Sequence, residues 1–184
     1  MLISRNAHTC SGNRSRHRQA IVTLETIIWL PVIAILLAGV IEMGLLMTGS
    51  MHVAAASRLG AKLAAETPGL DASTTAATAM AIRGPVDDYL QNAGYGPDAT
   101  EGVRLQHNIG MTGGSEASGT CPEQNTPALP AGPNMAFPNR PNSVRVVVCV
   151  NATTVAPNLL KTFGFDTSNT NLELSTTYPY ERLP

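Results

Sequence analysis

The stretch AIVTLETIIWLPVIAILLAGVIEMG, residues 20–44, constrains this chain more than any other, because residues 26–41 within it carry no charge. The run continues apolar through residues 43–51, which is enough to cross a bilayer, since a span takes about 20 residues. Two carboxylates sit on it, Glu25 near its start and Glu42 near its far end. An ionised carboxylate is costly in lipid and in a protein core unless something pairs with it. A fold for this chain has to place one long apolar helix and account for two acids on it.

The charge distribution orients that helix. The first 20 residues hold Arg5, Arg14, Arg16 and Arg18 and no acid. Taking those four from the 12 Lys and Arg leaves 8 basic side chains against 13 acidic ones, a net −5 for residues 21–184. A basic head, an apolar run and an acidic body predict a single-pass protein of the inner (cytoplasmic) membrane, with its N-terminus in the cytoplasm and its C-terminal domain outside. The expected division is a basic cytoplasmic leader over 1–20, a long helix over 21–67 with its span at about 26–48, and an extracytoplasmic α+β domain over 68–184. Nucleic acid is not an expected partner, because the basic cluster lies in the head and not on a folded domain.

Cysteine placement follows the same topology. Cys10 precedes the span, and Cys121 and Cys149 follow it. In an oxidising compartment Cys121 and Cys149 can pair as a disulfide while Cys10 stays reduced; otherwise they are two unpaired thiols. No C-x-x-C or Cys/His cluster is present, so no metal site is expected.

Along the chain, residues 1–19 are polar without periodicity and read as a disordered leader. Pro31 is expected to kink or loosen the helix about one turn in. The helix is expected to continue through SMHVAAASRLGAKLAAE, residues 50–66, with Arg58, Lys62 and Glu66 on a polar edge. Ala56, Gly60 and Ala64 form one row of small residues and Ser57, Ala61 and Ala65 another, a spacing that permits close packing of helices. TPGL at 67–70 ends the element, and a second helix is expected over 72–92, capped by Asp71 or Ser73 and interrupted at Gly84-Pro85. GVRLQHNIG alternates as a strand, SVRVVVCVN is a stronger one with Cys149 opposite its valines, and NLELSTTYPYE is a third. Residues 110–142 read as a long loop, and APNLLKTFGF as a short helical turn. The predicted fold is α+β, a long N-terminal transmembrane and amphipathic helix followed by a second helix and a three-stranded antiparallel sheet.

Catalytic patterns are missing from the sequence. His8, His17, His52 and His107 are scattered, and there is no G-x-S-x-G, H-E-x-x-H or P-loop. The Gly-rich GMTGGSEASG lacks the lysine of a phosphate cradle, and Asp87-Asp88 reads as solvated surface. NAT at 151–153 fits a glycosylation acceptor but is a short pattern. No enzymatic activity and no cofactor are expected.

Glu25 has three readings: an interfacial carboxylate reaching the headgroups, a partner of a cation on its own chain, or a partner of a positive charge on another chain. The α-amino group made by cutting the leader would be such a charge. Here the residues resemble a family. A basic leader, Ala20, four residues (Ile21-Val22-Thr23-Leu24) and then Glu25 ahead of an apolar helix resemble a type IV prepilin. VTLETIIWLPVIAILLAGVIEMG, AAASRLGAKLAA and the closing STTYPYE are most similar to the TadE-like minor pseudopilins of tight-adherence (Tad/Flp) pilus systems.

The resemblance implies a pilin-like fold, cleavage between Ala20 and Ile21 by a prepilin peptidase, and pairing of Glu25 with the new amino terminus of a neighbouring subunit. It implies other pilin or pseudopilin subunits and a pilus assembly platform as partners, beside the membrane. It also implies a minor subunit of an adhesive pilus, because the typical major pilin is far shorter and carries Tyr or Phe where Thr26 stands. Glu42 lies 17 residues beyond Glu25 in the sequence, about 100° away around the helix. It is either an inexpensive headgroup carboxylate or a packing determinant facing Arg58 or Lys62 of a staggered neighbour. Two other readings of the chain are a permanently anchored envelope protein whose outer domain binds protein partners, and a soluble domain released after HVAAA.

Overall fold

The computed structural model describes residues 14–109, 113–121, 129 and 142–180, with the backbone alone for 14–24. The chain divides into two compact units, Met1–Ile41 and Glu42–Pro184. In the first, the described residues are helical and belong to α1, Arg14–Glu66. Residues 14–19, expected to be disordered leader, are thus helical, and the helix continues through Pro31. The large apolar side chains from Ile27 to Ile41 on this helix are exposed, at about half or more of their surface in most cases, with Ile35 alone among them half-buried. Water penalises such a surface by about 25 cal/mol per Å², so its compatible solvent is lipid. Among the described residues one helix is long and apolar enough to cross a membrane.

The second unit is α+β. The rest of α1 and α2 (Thr75–Asn92) cover one face of a four-stranded antiparallel sheet. The strands are β1 (Thr100–His107), β2 (Gly114–Gly119), β3 (Ser143–Asn151) and β4 (Asn171–Pro179), in the spatial order β2-β1-β3-β4. A short helix α3 (Ala152–Val155) and a 3-10 helix (Leu159–Phe163) lie between β3 and β4. The valines of β3 behave as their alternation requires: Val144, Val146, Val148 and Val150 are buried in the main core. Opposite them stand Val103 and Leu105 of β1 and Leu172 and Leu174 of β4, with Val148 paired to Val103 on one side and to Leu174 on the other.

Three expectations are corrected. The sheet has four strands, because GSEASG pairs with β1 in the stretch read as loop. This edge strand has little buried side-chain surface and is held by backbone pairing, so hydrophobic periodicity does not register it. Gly84-Pro85 does not interrupt α2, which runs unbroken from Thr75 to Asn92. Both residues are on the exposed side, and Gly84 has no Cβ to crowd the proline ring. The N-cap is Thr74, not Asp71 or Ser73. Asp71 instead organises the turn before it, accepting from the N–H of Ser73 and of Thr74, both at 2.8 Å. The Ser73 hydroxyl above all, and then these backbone bonds, hold its carboxyl at about 2, well below the usual range.

Asp87 also departs from the solvated reading. It accepts from the Thr100 N–H at 3.2 Å and pairs with Arg83 at 3.5 Å, while Arg83 donates to the Thr100 carbonyl at 3.2 Å. Together they fasten the first residue of β1 to α2.

Candidate membrane-anchoring and assembly site

Ala20 and Ile21 lie within the helical backbone of α1, and their side-chain surroundings fall outside the described residues. Glu25 is exposed in the first unit. The small-residue rows belong to the second unit and are used inside it. Ala56, Ala61 and Ala64 are fully buried, as is Ser57, and Ala65 nearly so. Gly60 shows why the row is small: a Cβ there would stand 3.0–3.3 Å from Val146 of β3 and from Ile82 and Val86 of α2. At Gly49 a Cβ would overlap the side chain of Val155. Close approach of α1 to α2, β3 and α3 thus requires glycine or alanine at these turns. Ser57 adds a bond of 2.7 Å to Thr176 of β4. At the end of α1, the Tyr180 hydroxyl donates to the Thr67 carbonyl at 2.7 Å and accepts from the Leu70 N–H at 3.4 Å.

Arg58, Lys62 and Glu66 remain on the exposed edge, with Lys62 and Glu66 3.9 Å apart. Glu42 has a same-chain partner that neither sequence reading named. Its side chain is 5% exposed, and Oε2 accepts from the Leu160 N–H at 3.1 Å. Leu160 is in the first turn of the 3-10 helix, where backbone N–H groups have no intrahelical acceptor and Asn158 makes no side-chain cap. A carboxylate from 118 residues away therefore caps this turn.

The loop it caps has its own scaffold. Asp166 Oδ1 accepts from Asn158 Nδ2 at 2.7 Å and from the Ser168 N–H at 2.9 Å, and Oδ2 lies 3.5 Å from Lys161 Nζ. The Ser168 hydroxyl is the largest of the causes that hold the Asp166 carboxyl at about 2, followed by the Ser168 N–H. Gly164 ends the helix in the left-handed region, at φ 91°, as a C-terminal glycine does. Asn151, the asparagine of the NAT pattern, caps α3 by accepting from the Thr153 N–H at 2.9 Å.

The far face of the sheet carries the second small core, in which Cys121 and Cys149 form a disulfide with their Cα atoms 5.5 Å apart. Arg104 donates to the Cys121 carbonyl from Nη2 at 2.6 Å. Near the end of β1, His107 is buried. Its Nδ1 accepts from the Ile109 N–H at 3.3 Å, so Nε2 carries the proton that it donates to Thr75 Oγ1 at 2.7 Å. Thr75 donates in turn to the Asp71 carbonyl at 2.7 Å. Burial pushes the His107 pKa down from 6.5. The chain His107–Thr75–Asp71 joins sheet to helix and contains no nucleophile positioned by a base. Among the described residues no cluster of three or more His, Cys, Asp or Glu gathers around a metal-sized space.

With this geometry in place, comparison with known proteins is specific for one element. Residues 20–62 match the family model described as TadE-like protein, a segment that covers most of α1 and includes Ala20, Glu25, Glu42, Ala56 and Gly60. The match is consistent with a TadE-like protein and bears out the resemblance carried by those residues. No curated protein and no solved structure matches the chain. The TadE-like match and the N-terminal apolar helix fit a membrane protein associated with a Tad pilus.

Proposed function

We propose that this chain is a minor pseudopilin, a membrane-anchored assembly component of a Tad-type adhesive pilus. The observation that carries the reading is the span of the TadE-like match, which begins at Ala20 and takes in Glu25 on the exposed apolar helix. In this reading a prepilin peptidase cuts between Ala20 and Ile21. The new α-amino group of a neighbouring subunit then pairs with Glu25, and the helix leaves the inner membrane for the base of a filament. An unpaired carboxylate in an apolar helix is unfavourable by several kcal/mol, on the order of 3, and pairing removes that cost. The domain outside the membrane meets other pilin subunits and the assembly platform.

N-terminal sequencing of the membrane-purified protein tests the cut: a chain beginning at Ile21 supports it, and one beginning at Met1 refutes it. A permanently anchored envelope protein is the second reading. It keeps the leader.

A further inference from the structure

Among the described residues of the unit Glu42–Pro184, eight large apolar side chains are exposed, and all but Met80 fall on two short segments, residues 43–51 of α1 and residues 159–165. The two segments adjoin. Leu160 is hydrogen-bonded to Glu42, and Gly49 abuts Val155 a few residues before the loop. The chain has only 3 Phe. Two of them, Phe163 and Phe165, stand on this loop, 50% and 65% exposed. They are held there by a built scaffold, with Asp166 gathering Asn158, Ser168 and Lys161 and with Gly164 turning the backbone. A hydrogen-bonded loop that turns aromatic side chains outward beside an apolar helix face has an apolar surface to meet.

The charge-free run fixes which surface that is. Sixteen residues, 26–41, rise about 24 Å at 1.5 Å each, against a hydrocarbon core of about 30 Å. Glu42, the next residue, therefore falls at or just inside the outer boundary of the bilayer, and the loop bonded to it falls at that level too. We propose that the loop 156–168 is a membrane foot: Leu159, Phe163 and Phe165 insert at the headgroup–acyl boundary of the same bilayer that α1 crosses. Lys161, exposed on the same turn, reaches the phosphate layer, as lysine does at interfaces. Beneath the foot, Glu42 is shielded from lipid and satisfied by the Leu160 N–H, which gives this carboxylate a reason to sit so deep. The foot fixes how far the outer domain stands from the membrane before any assembly.

This inference rests on α1 being a span, and the native Trp29, the chain's 1 Trp, tests that separately. The full chain is reconstituted in vesicles of phosphatidylethanolamine and phosphatidylglycerol carrying a nitroxide either near the headgroup or deep in the acyl chain. Quenching of Trp29 by nitroxide lipid supports the span; its absence overturns both the span and the foot. In a Trp29→Phe background, Phe165→Trp and Phe163→Trp report on the loop, with Met80→Trp as the solvent-facing reference. The foot predicts quenching of both loop tryptophans by the shallow nitroxide at roughly twice the reference or more. Quenching no greater than the reference, with Trp29 still quenched, overturns the foot alone. Loop tryptophans shielded from both nitroxide lipid and aqueous acrylamide overturn it in favour of a protein partner such as a second copy of this chain.

Discussion

Glu42 shows how one residue changes meaning between sequence and structure. On the helix it is an acid at the end of an apolar run; in the fold it is the cap of a turn 118 residues away. A hydrogen bond to a charged acceptor contributes about 1.5–3 kcal/mol, so Glu42→Ala is expected to loosen the 3-10 helix by that order. Hydrogen exchange of the full chain in detergent checks it: the peptide containing Leu160 should exchange roughly 10-fold faster or more, with β3 peptides little changed. His107 gives a residue-scale pH dependence. Its folded-state pKa lies below 6.5 because burial disfavours the imidazolium. As pH falls below 6.5 the unfolded chain takes up a proton that the folded one resists, so stability is lost between 6.5 and the lower folded value. Melting curves at neutral and mildly acidic pH should show this loss, and His107→Gln, which offers no such titration, should flatten it.

At the scale of elements, the small-residue rows of α1 carry the packing. Gly60→Val places methyl groups where Val146, Ile82 and Val86 already stand within 3.0–3.3 Å of a Cβ. Overpacking of this kind costs about 1–3 kcal/mol, so denaturant unfolding should shift to lower midpoint, and Gly60→Ala should shift it less. The rows were legible in the sequence as small-xxx-small spacing, but not what they pack against. Spacing says that something approaches closely; α2 and β3 as the approaching elements follow only once the sheet has formed. The strands divide the same way. β3 was legible because buried valines alternate, whereas β2 was silent because its stability lies in backbone bonds to β1 that no side-chain pattern encodes. The disulfide Cys121–Cys149 closes a separation of 28 residues, which in the chain-entropy model is worth about 3–4 kcal/mol. Cys149→Ser is expected to lower the stability of the outer unit by that order, read as an earlier urea transition that added reductant no longer shifts.

For the whole molecule, the expectation at stake is assembly. If Glu25 pairs with a neighbour's new amino terminus, Glu25→Ala leaves the outer domain folded, with Cys121 and Cys149 still joined, while co-purification with other pilin subunits falls roughly 10-fold or more, about the effect of one lost buried charge pair. Unchanged co-purification would remove the charge-pairing mechanism. The sequence by itself determined the anchor. Hydropathy is a local property of an apolar segment, so no other part of the chain is needed to read it. It also determined which β3 residues enter the core, since alternation in a strand is local too. Only the tertiary structure decided the fates of Glu42, Asp87 and His107, and it alone brought the loop with Phe163 and Phe165 beside the helix end. The roles of the two carboxylates depend on backbone groups from distant positions: a lone N–H at Leu160 or Thr100 leaves no trace in side-chain patterning, yet it is what each carboxylate meets in the fold.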